Sequence, residues 1–162
     1  MINREIQPKT KALLLMGCPE VAVQTSLVLY TSHLLMNKGC TVLIAGNNSA
    51  LELIRMADPE GHYVKESADI DTTIGDLAQK VFDPDICYVF IHNDAGVSYL
   101  ATVNALISGE AVGVIFGHEP QKLAAQCSEA DLKCIWARAV HNPSPLKSKI
   151  TREVDRWSAS MS

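Results

Sequence analysis

Short runs of apolar residues, each followed by a polar tip, alternate along the chain with segments of helical period. The runs cover residues 11–16, 42–45, 87–91, 111–116 and 133–140. Continuous apolar runs of this length are typical of parallel strands that are covered on both faces. The alternation of such strands with helices predicts one α/β domain over residues 1–162, a three-layer α/β/α sandwich around a five-stranded parallel sheet.

The order of the strands follows from the lengths of their connections. The connection from the second strand to the third is the longest, and it is the one most able to cross back over the first strand. This favours the order 2-1-3-4-5, with 3-2-1-4-5 as the alternative. In the favoured order, Cys18 and His92 face each other across a crevice between the first and third strands.

The first helix is expected to run from Pro19 to Gly39. Proline at the first helical position and glycine just past the last one are typical helix boundaries. The apolar positions of this helix cover more than one face. The wide apolar surface indicates either a homodimer interface or a helix that its own domain covers fully.

Polar, glycine-bearing or histidine-bearing tips follow the five strands. The carboxyl ends of parallel strands share one edge of the sheet, and ligands bind at that edge in this class of fold. The residues at these tips are therefore the candidate ligand-binding or cofactor-binding set. They are Gly17, Cys18, Asn47, His92, Asn93, Asp94, Gly117, His118, His141 and Asn142.

Cys18 is the sharpest local feature of these tips. A helix that begins at Pro19 would place Cys18 at the cap, where unpaired backbone N–H groups favour a thiolate. Cys18 is then a candidate catalytic nucleophile, with His92 as its base. The alternative is that Cys18 is simply a small residue that fits a tight turn between strand and helix.

Three of the tips carry histidine, namely those with His92, His118 and His141. Imidazoles on neighbouring tips could meet at one zinc or iron ion, or serve in proton transfer. The spacing matches no short metal-binding motif, so the metal site is the weaker alternative. Histidine beside asparagine is also common where a strand ends in a turn.

Familiar cofactor motifs are missing from the first two tips. The first turn has Gly17 but not the pattern G-x-G-x-x-G, and Asn47 stands where an acidic residue usually binds the ribose. The chain also contains no P-loop. These absences disfavour a classical NAD or FAD site, and they leave the cofactor unidentified.

Composition excludes several functional classes. The net charge is −4 and the basic residues form no stripe, so no nucleic-acid partner is expected. Residues 1–11 are polar and lack the apolar segment of a signal peptide, and no apolar stretch reaches the length of a spanning helix, so we expect a cytoplasmic protein with no membrane insertion. Three of the five cysteines lie within apolar strand patterns, which suits reduced thiols.

The motifs at the tips, taken in order, resemble one protein family over almost the whole chain. They are Met16-Gly17-Cys18-Pro19-Glu20-Val21 with Gln24-Thr25, Asp58-Pro59 with His62-Tyr63, His92-Asn93-Asp94-Ala95-Gly96, Phe116-Gly117, and His141-Asn142-Pro143 with Pro145-Leu146. This pattern is similar to domain-of-unknown-function family 1890, a family of small proteins from methanogenic archaea. The resemblance implies a Rossmann-like α/β/α fold and a link to methanogen physiology, and it supplies no catalytic residue.

Three functional hypotheses follow. The first is a methanogen accessory protein that binds a small ligand, a cofactor or a partner protein, such as a methanogenesis enzyme complex, at the strand tips. The second is a cysteine-dependent enzyme or sulfur carrier that uses Cys18 with His92. The third is a structural subunit of a larger complex, with the first helix as its interface.

Overall fold

The computed structural model describes residues 9–162, and a six-stranded parallel sheet lies at its centre. The strands are β1 (Lys11–Leu15), β2 (Thr41–Gly46), β3 (Glu66–Asp69), β4 (Ile86–Ile91), β5 (Glu110–Ile115) and β6 (Cys134–Trp136). The helices are α1 (Val23–Asn37), α2 (Asn48–Ala57), α3 (Ile70–Ala78), α4 (Asp94–Leu106), α5 (Pro120–Glu129) and α6 (Ser144–Ser160). The Rossmann-like three-layer fold is therefore confirmed.

The prediction of five strands is wrong by one. The sheet has the order β3-β2-β1-β4-β5-β6, so the five predicted strands keep their favoured order and β3 is added at one edge. β3 hydrogen-bonds only to β2, and its residues are exposed or half-buried. An edge strand of this kind needs no apolar run, which is why the hydrophobic pattern did not reveal it.

The last strand is shorter than the predicted run of residues 133–140. Residues of β6 pair with β5 only as far as Ile115 opposite Trp136, because β5 ends there. Beyond Trp136 the chain makes one isolated antiparallel bridge, between Ala139 and Gly117. His141 therefore lies on an irregular connection and not at a strand tip.

Helix α1 begins four residues later than Pro19. The amide of Val23 donates to the carbonyl of Val140, and the amide of Gln24 donates to the carbonyl of Val21 in a tight turn. The first contact joins the start of α1 to a distant part of the chain, and residues 18–22 before it form a non-helical turn. The N-cap of α1 is Ala22, so Cys18 does not cap this helix and the helix-end argument for its thiolate is wrong.

Each face of the sheet carries three helices and its own half of the core. On one face, α1 lies between α2 and α6, and on the other, α4 lies between α3 and α5. The partly exposed apolar side chains of α1, such as Leu29 and Leu34, pack against this core. No large apolar side chain of α1 is fully exposed, but Leu29, Leu34 and Met36 remain only half-buried, and the homodimer stays a prediction.

Within residues 9–162, no helix combines the length and the apolar character that crossing a membrane requires.

Candidate functional site

The carboxyl-terminal edge of the sheet, here called the rim, carries the strand tips and the starts of the helices that follow them. At the tip of β4, Asn93 is the N-cap of α4, and its Oδ1 accepts a hydrogen bond from the amide of Gly96 at 3.2 Å. At the tip of β5, Gly117 adopts φ +101°, a conformation that favours glycine, and its amide donates to the carbonyl of Ala139. These two turns direct the chain around an opening at the rim.

A pocket of about 570 Å³ occupies that opening, and we call it the rim pocket. It lies between the tips of β4 and β5, the turn after β1 and the first two turns of α5. Its lining residues are Glu20, Val21, His92, Asn93, Asp94, Phe116, Gly117, His118, Glu119, Lys122, Leu123, Gln126 and Val140. Half of the predicted binding set, namely His92, Asn93, Asp94, Gly117 and His118, is thus brought together.

His92 is a deeply enclosed polar side chain of the rim pocket. Only 3% of it is exposed, and its ring lies 5.5 Å from that of Phe116 between centroids. Its Nε2 lies 3.3 Å from Oε2 of Glu20, whose side chain is 68% exposed. One edge of the imidazole therefore faces a carboxylate at the mouth of the pocket.

The other edge of the His92 ring packs against the tip of β1. A Cβ on Gly17 would lie 3.3 Å from Cε1 of His92, so glycine at this position lets the ring approach closely. The Gln24 side chain, which is almost fully buried, donates from Nε2 to the carbonyl of Gly17 at 2.9 Å. Among the described residues, neither Nδ1 of His92 nor Oε1 of Gln24 has a hydrogen-bond partner.

The opposite wall of the pocket is a face of α5. Lys122 and Glu119 form an ion pair at 3.0 Å, and Nε2 of Gln126 donates to Oδ1 of Asp94 at 3.0 Å. The second contact connects α5 to the start of α4. The lining holds three carboxylates, including that of Glu20, and one ammonium group, so its formal charge with neutral histidines is −2.

Cys18 and Asn47 lie outside the rim pocket and form a separate contact. Nδ2 of Asn47 donates to the exposed Sγ of Cys18 at 3.2 Å, while Oδ1 of Asn47 caps α2 through the amide of Ala50. No hydrogen bond joins Cys18 to His92. Cys18 contacts Asn47 at the tip of β2, whereas His92 contacts Glu20.

His141 and Asn142 do not line the rim pocket either. Oδ1 of Asn142 accepts a hydrogen bond from the amide of Ser144 at 3.0 Å, at the start of α6. Among residues 9–162, no group of three or more His, Cys, Asp or Glu side chains is placed to hold a metal ion. The structure thus does not gather the three rim histidines around one metal.

Sequence reasoning missed the parts of the pocket that lie on helices or in turns. Glu119, Lys122, Leu123 and Gln126 follow one another at spacings of three, one and three residues, which places them on one helix face. Once the tip of β5 is taken as part of a binding site, this spacing indicates that one face of the following helix also lines the site. Glu20 was assigned to the first helix, and only the later start of α1 brings it to the pocket.

Comparisons with known proteins agree with this architecture. A family model described as "Domain of unknown function (DUF1890)" matches residues 13–153. The uncharacterized protein MJ0452 of Methanocaldococcus jannaschii is 33% identical over 139 residues, which cover 85% of this chain and 93% of that protein. The solved structure of MT0777 is 37% identical, with a TM-score of 0.83, over 91% of this chain and 98% of that one.

Proposed function

Since this chain belongs to the DUF1890 family, we propose that it is an accessory protein of methanogenic archaea that binds a small ligand in the rim pocket. The observation that carries the proposal is the buried imidazole of His92 on the wall of a pocket of about 570 Å³. Small-molecule pockets typically have volumes of roughly 300–1,000 Å³ and combine apolar walls with a few oriented polar groups. The apolar part of the lining comes from Val21, Phe116, Leu123 and Val140.

The position of the pocket supports the same proposal. In doubly wound sheets, ligands bind outside the carboxyl ends of the strands. Here two helices begin at the pocket, and hydrogen bonds such as that from Gln126 to Asp94 connect its walls. A site whose walls are fixed in this way loses little conformational freedom when a ligand binds.

The test is recovery of the ligand from a native host. The tagged protein is purified from an archaeal host that encodes it and analysed by native mass spectrometry, alongside two variants. His118→Trp fills the pocket mouth, whereas His62→Trp changes an exposed histidine on the loop after α2. We expect a small molecule bound to the wild type and to His62→Trp and lost from His118→Trp. A ligand retained equally by all three proteins would refute the rim pocket as its site.

The same purification addresses two related roles, a protein partner and a place as structural subunit of a larger complex. In either case a protein would be recovered in place of a small molecule. A partner that His118→Trp releases would use the rim. A partner retained by that variant would favour the subunit role through another surface.

A cysteine-dependent enzyme or sulfur carrier is the second candidate function. The observation that favours it is the exposed Cys18 thiol, which accepts a hydrogen bond from Asn47. Detection of a persulfide on Cys18 in protein from the native host, and its loss in Cys18→Ser, would support this candidate over simple ligand binding.

A further inference from the structure

We propose that the open edge of the sheet at β6 is an interaction surface for a partner protein, which adds an extended segment rich in aspartate or glutamate as a further strand. This surface, here called the β6 edge, consists of β6 and the face of α6 beside it. Lys149 and Arg152 of α6 bind the carboxylates of the added segment. The groove beside β6 shares no lining residue with the rim pocket, so the two sites are independent.

The backbone of β6 has one paired side and one open side. In the described part of the chain β6 pairs with β5 alone. The carbonyl of Lys133 accepts a hydrogen bond from β5, and the amide of Ala137 donates one to β5. In a parallel ladder every second residue of a strand bonds to the same neighbour, so Ile135 also faces β5. The backbone groups of Cys134 and Trp136 therefore point outward from the sheet.

Only one of these four outward groups is covered. Nζ of Lys149 donates to the carbonyl of Trp136 at 2.7 Å and lies 5.5 Å from the centroid of its ring. Among residues 9–162, the amides of Cys134 and Trp136 and the carbonyl of Cys134 have no hydrogen-bond partner. Open strand edges pair with extended chains, and natural proteins often protect them with lysine. The β6 edge is thus protected at one group and open at three.

The face of α6 beside β6 carries excess positive charge. Lys149, Arg152, Glu153 and Arg156 follow one another at spacings of three, one and three residues, which places them on one helix face. Together with Ile135 they line a groove of about 400 Å³. Three cations and one carboxylate give this lining a formal charge of +2, whereas the whole chain carries −4.

Two cations of this region are already neutralised by carboxylates. The ion pairs of this network have N···O distances of 2.6–3.7 Å and join Lys133 and Arg156 to Glu110 and Glu153. Within the described residues, Lys149 and Arg152 form no ion pair. These two side chains are therefore the ones that can bind carboxylates of a partner.

The charges and the backbone pattern select the occupant. In a symmetric dimer the same surface of each copy meets the other, so Lys149 and Arg152 of two copies would repel each other. An acidic segment instead brings opposite charge to both. The open backbone groups are two donors and one acceptor. A peptide strand satisfies both kinds, as in other cases of strand addition, whereas phosphate oxygens of a nucleic acid only accept.

Lys149 makes the β6 edge selective for acidic segments. A carboxylate binds its ammonium group more strongly than the neutral carbonyl of Trp136 does. The lysine then turns to the carboxylate, and the released carbonyl accepts an amide of the added strand. A basic segment permits no such exchange and leaves the edge protected. The Trp136 side chain is 40% exposed and adds an aromatic contact of the kind that is enriched at interfaces.

The first experiment titrates peptides into the ¹⁵N-labelled protein at low ionic strength. The probe is a short blocked peptide in which valine and glutamate alternate, and a matched peptide has lysine in place of glutamate. We expect the acidic peptide to shift the amide signals of Cys134 and Trp136 and to leave that of Asn93 at the rim unchanged. The basic peptide should shift none of them.

Two variants test the role of charge. Arg152→Gln should weaken binding of the acidic peptide about fivefold or more. Lys65→Gln removes the same charge just before β3, at the opposite edge of the sheet, and should leave the affinity within about twofold. Equal affinities of the two variants would overturn the assignment of Arg152.

A second pair of variants tests strand addition. The amide of Trp136 does not bond to β5, so proline at this position of an edge strand removes an outward donor and leaves the ladder intact. We expect Trp136→Pro to bind the acidic peptide about tenfold or more weakly than Trp136→Ala, which keeps the amide. The acidic peptide with every amide N-methylated tests the same point on the unaltered protein and should shift no signal. Binding of the N-methylated peptide as tight as that of the parent would overturn strand addition.

Other occupants of the β6 edge would also overturn the proposal. Failure of the acidic peptide to shift Cys134 and Trp136 at millimolar concentration, or equal shifts with the basic peptide, excludes an acidic partner. A single-stranded oligonucleotide that shifts the same amides would assign the edge to nucleic acid. A dimer in sedimentation velocity that Trp136→Pro dissociates would assign it to a second copy. None of these outcomes affects the proposed ligand site, which recovery of a ligand from the native host tests.

Discussion

At the scale of single residues, the five cysteines differ mainly in their access to solvent. Cys18 is exposed, whereas Cys40, Cys87 and Cys127 are buried. Burial, with a smaller effect from Asp85, raises the pKa of Cys40 to about 11. Burial likewise raises the pKa of Cys87 and of Cys127. These buried thiols are therefore neutral and poorly nucleophilic near neutral pH.

We predict that Cys18 is alkylated by iodoacetamide at pH 7.5 at least about tenfold faster than the buried cysteines, because thiolate and access to solvent together control the rate. Mass-resolved labelling measures each site. We expect His92→Ala to leave the Cys18 rate within about twofold, since no hydrogen bond joins the two residues. A rate that falls several-fold in His92→Ala would show coupling and would favour the enzyme hypothesis.

At the scale of elements, helix α2 depends on its N-cap. Oδ1 of Asn47 accepts the amide of Ala50 at 2.9 Å. We predict that Asn47→Ala lowers the free energy of unfolding by about 1 kcal/mol, and that Asn47→Asp, which can still accept this bond, costs far less. Urea denaturation of the two variants measures the difference. Equal losses would show that the contact with Cys18, and not the cap, is what stabilises this turn.

Two glycines provide a matched pair of substitutions in different elements. A Cβ on Gly109, just before β5, would overlap the carbonyl of Asp85, whereas Gly75 inside α3 has open space around it. We predict that Gly109→Ala destabilises the fold by at least about 2 kcal/mol. Gly75→Ala should stabilise it by about 0.5–1 kcal/mol, because alanine favours the helix. Thermal or urea unfolding checks both signs, and a neutral Gly109→Ala would contradict the close backbone contact.

The sequence predicts those strands whose side chains are buried on both faces of the sheet. β1, β4 and β5 are buried on both faces, so each is an unbroken apolar run, and strand order follows from connection length. β3 is a polar edge strand, and β6 ends where its partner β5 ends. The start of α1 depends on the carbonyl of Val140, more than a hundred residues away. A contact between residues so far apart in the chain leaves no pattern in the sequence around either of them.

At the scale of the whole molecule, the candidate site was predictable in location and only partly in membership. Parallel strands place their tips on one edge, so His92 and Gly117 could be assigned to one rim. The division of that rim into a pocket and a separate contact of Cys18 with Asn47 depends on side-chain directions. The helical pattern gives no reason to place Gln24 beside the rim, because a glutamine inside a helix usually faces solvent.

Three carboxylates stabilise distant parts of the molecule. Burial opposes ionisation of Asp58, but three backbone amides, those of residues 62–64, donate to it at 2.8 Å and lower its pKa. Hydrogen bonds from Ser108 lower the pKa of Asp83. For Glu153, burial is again outweighed, here by Arg156 and Lys133, and its pKa is lowered. These groups lie after α2, before β4 and on α6.

A carboxyl group with a lowered folded-state pKa stabilises the fold above its unfolded pKa, and this contribution disappears as the pH falls through the folded-state pKa. The ordinary pKa values here are 3.8 for Asp58 and Asp83 and 4.5 for Glu153. We therefore predict that these groups do not change the free energy of unfolding between pH 7 and about pH 5.5. Below about pH 4.5 the free energy of unfolding should decrease.

Asp58→Asn isolates one of these contributions. The amide of His62 donates to one carboxylate oxygen of Asp58, and the amides of Tyr63 and Val64 donate to the other. In asparagine one of these two positions becomes an NH₂ group, which cannot accept, so at pH 7 the variant should lower the unfolding free energy by about 2 kcal/mol. The difference from wild type should shrink below about pH 4, where the wild-type carboxyl is itself protonated. Glu60→Gln, on the same loop with an exposed side chain, serves as the control and should change stability by less than about 0.5 kcal/mol. Urea denaturation at pH 7, 5 and 3.5 measures all three proteins. An Asp58→Asn cost that stays constant with pH would show that the variant loses packing and not the ionised hydrogen bonds.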